Sequence, residues 1–210
     1  MKIILFLSLC LFSAQLLASK KAVTEDGDVV ILNDDGTWTY EDGSANNDSE
    51  IPTNPTPFFN DDNSNFALKS NKTNATFSIN PKKWKFKKND NGHESAEYTF
   101  ELKEGDLYGM AITEAIEMKV EVLADVAFNN AKAVAPDAKL INKEYRTVNG
   151  NKAVYMEFIG TIQSIRFKYF GYYYSNSSGS TQYLAYTSAN LENRYTSEIE
   201  TFLNGFGVQP

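Results

Sequence analysis

The segment Arg166–Phe206, RFKYFGYYYSNSSGSTQYLAYTSANLENRYTSEIETFLNGF, decides the fold. At its start Phe167, Tyr169 and Tyr173 fall on one face of an extended chain, and Phe170, Tyr172 and Tyr174 on the other. Side chains alternate faces along a strand, so this strand is apolar on both sides and needs cover on both. Ser175–Ser180 supplies turn residues, with Gly179 free to take positive φ. Gln182–Thr187 returns as a second strand. Asn190 is the expected N-cap of a helix, because Leu191, Tyr195, Ile199, Phe202, Leu203 and Phe206 then recur at steps of three and four. Glu192, Thr196, Glu200 and Asn204 lie off that face, and Gly205 stands where a left-handed C-terminal cap is expected. Two strands and a sealing helix close the domain.

Upstream, Lys139–Val148 and Asn151–Gln163 form a long hairpin around Asn149-Gly150, a strong two-residue turn signal. A helix is predicted from about Met118 to Val134, with Val120, Leu123, Ala124, Ala127, Phe128 and Ala131 on one stripe; Pro136 ends it. Leu107–Ala115 is a more continuously apolar strand. Ala96, Tyr98, Phe100 and Leu102 alternate with polar residues, as do Ala75, Phe77 and Ile79, so both runs are half-buried strands. The domain begins near Phe66, and about 145 residues suffice for a core of their own.

GYYY, a polar turn, TQYLAYT and NLENRYTSEIETFLNGF together resemble the C-terminal part of small bacterial PsbP/DcrB-like domains. The upstream order agrees: a strand, Asn80-Pro81 leading to Trp84, an Ala-rich helix after a strand, and the Val148-Asn149-Gly150 turn. The resemblance covers roughly residues 66–208 and implies an α+β fold, an antiparallel sheet flanked by helices in an α/β/α sandwich. It carries no catalytic motif, and functions within that superfamily diverge widely.

Residues 1–19 have a basic start at Lys2, an apolar run from Ile3 to Phe12 and small residues before Lys20-Lys21, the pattern of a secretory signal peptide cleaved near Ser19. Cys10 is the only cysteine and leaves with it, so disulfides, thiolate chemistry and Cys-metal sites are excluded from the mature chain. An exported location, periplasmic or else extracellular, is the expectation, with no stable membrane span in the mature form. Residues 20–65 hold eleven acids against Lys20 and Lys21, a net charge of −9, whereas residues 66–210 hold 17 Lys and Arg against 16 acids. The acidity belongs to the N-terminal arm, and neither part has the basic excess of a nucleic-acid binder.

Within that arm, residues 20–42 read as a three-stranded β-meander. Its strands include Val29–Leu32 and Thr37–Tyr40, and Asp35-Gly36 is the hairpin turn. The pattern resembles a short DGTW-type motif of exported bacterial proteins. So small a unit cannot bury a core alone, and Trp38 and Tyr40 need a partner surface. Residues 43–65 are a linker in composition, acidic and rich in Asn and Pro, spanning about 25 Å as a flexible coil. Phe58-Phe59 interrupts it, as an anchor to the domain or as a partner-binding hook.

The chemical candidates are few. His93, the only histidine, follows the turn cluster Asn89–Gly92, and no GxSxG accompanies it. Asp61, Asn63 and Asn65 have the alternation of an EF-hand start, but Phe66 and Lys72 replace the Gly and Glu that such a loop requires. Glu97, Glu101 and Glu157 sit on strands with nothing pairing them across a site. Lys82, Lys83, Lys85, Lys87 and Lys88 surround Trp84 and Phe86, as a solvated strand face or as a patch for an anionic partner. No catalytic, cofactor or metal residue is assigned. The expected function is a non-catalytic binding or accessory protein of the cell envelope that engages another protein or a second copy, with Trp38, Phe58 and Phe59 as its contacts. The alternative is a small-ligand or lipid binder using an aromatic cleft near Trp84, Arg166, Tyr172 and Tyr174.

Overall fold

The computed structural model describes residues 20–24, 29–32, 38–40, 51–89 and 95–209, and among these described residues it has three sheets and two α-helices. The signal segment, the turns at Glu25–Asp28 and Asp35-Gly36, residues 41–50 and His93 lie outside the described residues. The meander is present as β1 (Lys20–Val23), β2 (Val29–Leu32) and β3 (Trp38–Tyr40), paired antiparallel in that order. Val29 and Val30 are buried.

Eight strands form the principal sheet. In chain order they are β4 (Thr53–Phe58), β7 (Trp84–Lys88), β8 (Tyr98–Leu102), β9 (Leu107–Glu114), β10 (Lys139–Val148), β11 (Asn151–Ile162), β12 (Ile165–Asn176) and β13 (Gly179–Ser188), in the spatial order β4-β10-β11-β12-β13-β9-β8-β7. All neighbours are antiparallel except β4, which runs parallel to β10 at the edge. A second sheet, β14-β6-β5, is built from β5 (Phe66–Lys69), β6 (Ala75–Ile79) and β14 (Phe206–Val208).

The alternation along β12 is that of the sequence. Phe170 and Tyr172 join one buried cluster and Tyr173 the other. On the first face, α2 (Glu192–Leu203) and the small sheet cover the large one. Tyr195, Ile199, Phe202 and Leu203 of α2 meet Trp84, Phe100 and Tyr183, while Phe77 and Phe206 come from the small sheet. Helix α1 (Val120–Val134) covers the second face, Leu123 and Ala124 packing with Val154, Met156, Phe158, Tyr173 and Leu184. Helix, sheet, and helix with small sheet are thus the three layers. Among the described residues no helix is long and apolar enough to cross a membrane.

Three local expectations change. Phe206 keeps its burial but leaves the helix and starts β14, paired with Phe77 of β6. Gly205 does not cap with positive φ; a Cβ there would lie 1.9 Å from the Ser78 carbonyl oxygen, so close strand approach is what requires glycine. Asn190 caps nothing, because a 3₁₀ turn (Ala189–Leu191) precedes α2, which begins without a side-chain cap. Gly179 does take positive φ, at 131°. The segment expected as linker contributes an edge strand, with Tyr145 N–H donating to Pro52 O and Asn149 N–H to Phe58 O at 2.8 and 2.9 Å.

Candidate functional site

A cleft of about 200 Å³ opens where the β4 edge of the large sheet meets α2. Its floor is Tyr155, Phe170 and Tyr172, which alternate inward from β11 and β12; Phe58 and Arg146 close one side. The opposite wall is one flank of α2, with Glu192, Thr196, Ile199, Glu200 and Leu203 at steps of three and four. Glu192, Thr196 and Glu200 are residues that the helical pattern turns away from the core, and the cleft is where they point.

Arg146 is the centre of the arrangement. Its guanidinium carbon lies 3.4 Å from the Tyr155 ring centroid and 4.7 Å from that of Phe58, so the cation is held between two aromatic rings. Its Nε donates to Glu144 Oε1 at 2.5 Å, and Asn54 Nδ2 of β4 donates to the same oxygen at 3.2 Å. Burial raises the Glu144 carboxyl, but these hydrogen bonds, the Arg146 charge and a further hydrogen bond from Asn142 together hold the group below its ordinary range. For Arg146, burial works against the charge, and the hydrogen bond to Glu144 together with the adjoining Tyr155 and Tyr172 outweighs it.

A second set of charges ties sheet to helix. Lys168 Nζ lies 3.1 Å from Glu157 Oε2 and 2.5 Å from Glu192 Oε1. Its pKa is raised: burial lowers it, and the two carboxylates overcome that. Tyr155 Oη donates to Glu157 Oε1 at 2.8 Å, and Tyr172 Oη to Asn204 Oδ1 at 3.2 Å. Burial, reinforced by Glu157, pushes the Tyr155 phenol far up, and burial pushes Tyr172 up to about 12. Both phenols therefore stay neutral hydrogen-bond donors near pH 7. Glu200, exposed on the rim, adds a further carboxylate. An aromatic floor with carboxylates around it suits a single cationic or amphipathic side chain.

The other sequence candidates are dispersed. Phe58 and Tyr172 line the cleft, but Phe59 beside them is 67% exposed. Trp84 is buried in the core, its ring 4.3 Å from that of Phe202. Arg166 is exposed near the β11–β12 turn, and Tyr174 packs on Phe206 at 5.4 Å between ring centroids. Trp38 lies in β3. Glu97 is buried, its carboxylate accepting from Thr113, Ser70 and the Asn71 amide. Glu101 pairs with Lys85 on the surface, whereas Glu157 belongs to the cleft. Asp61 accepts from the Asn63 backbone and side chain in a local turn. Among the described residues no group of three or more His, Cys, Asp or Glu side chains could hold a metal ion.

Arg146 was not singled out by the sequence, although a signal existed. The Asn149-Gly150 turn fixes the hairpin register, pairing Arg146 with Ala153 and Glu144 with Tyr155. Arg146 and Tyr155 are therefore diagonal neighbours on one face, within reach of long side chains.

No protein-family model matches the chain, and no curated protein matches it. Solved structures do. The solution structure of cyanobacterial PsbP (CyanoP) from Synechocystis sp. PCC 6803 superposes with a TM-score of 0.52 at 17% identity, covering 69% of this chain and 92% of that one. A crystal structure of a protein of unknown function from Pseudomonas aeruginosa gives a TM-score of 0.45 at 9% identity, over 69% of this chain and 97% of the other. The fold is PsbP-like, as the sequence resemblance implies.

Proposed function

We propose that this chain is a non-catalytic binding protein of the bacterial cell envelope. On this reading it is exported through its N-terminal signal and engages another protein at the β4 edge, where the cleft receives one cationic side chain of the partner. The observation that carries the reading is the neutralised state of the cleft. Arg146 is satisfied by Glu144 and the rings around it, Lys168 by Glu157 and Glu192, and the floor phenols are held neutral. The cleft's cations are engaged by its own carboxylates and rings, an arrangement that favours docking over chemistry. Its volume also falls below the roughly 300–1,000 Å³ of small-molecule pockets. It is the size of a socket for one anchoring residue, the unit from which protein interfaces draw most of their affinity.

Native mass spectrometry of the chain purified gently from its own envelope tests this. The expected result is a co-purifying protein that is lost in a Glu200→Lys variant, which places a cation on the rim while leaving the core untouched. A small molecule retained by wild type, and lost when Tyr172 is replaced by Leu, would sink the reading in favour of the small-ligand alternative.

A further inference from the structure

Opposite the cleft edge, β7 ends the large sheet and β5 ends the small one, and their outermost aromatic residues touch. Phe66 and Phe86 lie with ring centroids 5.6 Å apart, yet they are 42% and 41% exposed. Tyr98 lies behind them, 6.5 Å from Phe86, and fastens the two sheets by donating from its hydroxyl to Lys69 O at 2.8 Å. Strand alternation puts Lys69 on the outer side of β5, and Lys85 and Lys87 on the outer side of β7. Lys88 shares the Phe86 side, its Nζ 5.5 Å above the Tyr98 ring. Two half-exposed phenyl rings are thus fenced by ammonium groups on both sides.

The segment that carries this margin is the basic part of the domain. Residues 69–103 contain eight lysines and four acids, whereas residues 104–210 contain nine Lys and Arg and twelve acids. Lys85 pairs with Glu101 and Lys83 with Glu198, and the segment keeps a positive excess after Glu198 is counted. Lysines on an edge strand also discourage pairing with other sheets. That role accounts for Lys85 and Lys87. It covers Lys69 at the edge of the small sheet too, but it does not account for leaving two phenylalanines half in water between the lysines.

We propose that the β5–β7 margin is a docking surface for an anionic lipid leaflet, with Phe66 and Phe86 entering the headgroup region and the lysines resting among the phosphates. A leaflet is favoured over an acidic protein by what surrounds the rings. A leaflet needs only exposed apolar side chains within a one-signed field, and lysine stems can lie along the interface while their heads stay wet.

Co-sedimentation of the mature chain, from Lys20 onward, with vesicles tests the proposal. One preparation is phosphatidylcholine alone, and the other carries about three parts in ten phosphatidylglycerol. Binding is expected only to the anionic vesicles, weakening with salt. It should fall at least about tenfold in a Lys69→Glu/Lys88→Glu variant, persist in Lys69→Arg/Lys88→Arg, and fall in Phe66→Ser/Phe86→Ser. Circular dichroism melts confirm that each variant is folded. Equal binding to both vesicle types, or binding to anionic vesicles that ignores these substitutions, would overturn the proposal. So would soluble polyglutamate capturing the chain through Lys69 and Lys88 when vesicles do not, which would make the margin an acidic-protein interface instead.

Discussion

The two edges of the large sheet are finished by opposite means. At the β4 edge the backbone itself is closed, because Pro55 and Pro57 remove donors from a short strand held only by parallel pairing to β10. At the β7 edge the sequence WKFKK has no proline, and protection falls to charged side chains. The consequence for surface chemistry is direct. A closed backbone lets side chains turn inward and build a socket around Arg146, whereas an open one keeps its lysines outward and builds a cationic margin. The domain is nearly neutral as a whole, yet its two ends differ in kind.

The largest expected effect breaks the β7 side. Phe202 lies 4.3 Å from Trp84, 4.6 Å from Tyr183 and 5.1 Å from Phe100 between ring centroids, so it joins α2 to the β7 end of the sheet. Phe202→Ala should cost about 3–5 kcal/mol in urea unfolding; a loss below about 1 kcal/mol would show that the region repacks without it. On the other edge, Arg146→Ala leaves Glu144 without its cation and Phe58 without its stacking partner. A loss of about 2–3 kcal/mol is expected, together with faster hydrogen exchange at the Tyr145 and Asn149 amides that hold β4. Amides between β7 and β8 should keep their rates, and equal acceleration at both edges would refute the independence of the two ends.

Alkaline titration sharpens the contrast, since the cleft side holds Tyr155, Tyr172 and Lys168. Burial raises Tyr172 and, beside Phe158, Tyr169 to about 12, and Lys168 is raised by its two carboxylates against the pull of burial. Groups whose folded pKa is raised contribute stability that is complete below their unfolded values, near pH 10, and that is lost as pH climbs through the folded ones. Stability should therefore be flat up to about pH 10 and fall between about 10 and 12. Phenolate absorbance should lag behind that of free tyrosine, and normal ionisation near pH 10 in the folded chain would contradict the buried hydroxyls. The smallest pair of effects separates neighbours on β4. Phe58→Ala should cost about 1–2 kcal/mol, and Phe59→Ala should stay within about 0.5 kcal/mol.

What the sequence made legible was whatever is periodic over a single element. The two-faced β12, the α1 stripe and the Asn149-Gly150 hairpin follow from alternation, helical spacing and turn chemistry, whereas the layer order is what the family resemblance implies. What escaped depends on partners distant in the chain. Phe206 continues the helical spacing of Phe202 and Leu203, and only the approach of Ser78 to Gly205 converts it into a strand. Strand β4 is rich in proline, and its pairing with β10 spans about ninety residues, so composition alone reads it as linker. The turn between β11 and β12 places Gln163 and Ser164 at positive φ without a glycine to announce it. The cleft was half visible: Tyr172 and Phe58 stood out as aromatics, while Arg146 looked like any polar residue in an alternating strand.

The parallel pairing of β4 also has a mechanical consequence. The meander is joined to the domain at the N-terminal end of this strand, so a pull on the meander along the strand axis loads the β4–β10 ladder in shear. Its hydrogen bonds at Tyr145 and Asn149 and the stack of Phe58 on Arg146 must then yield together, not one after another as in peeling.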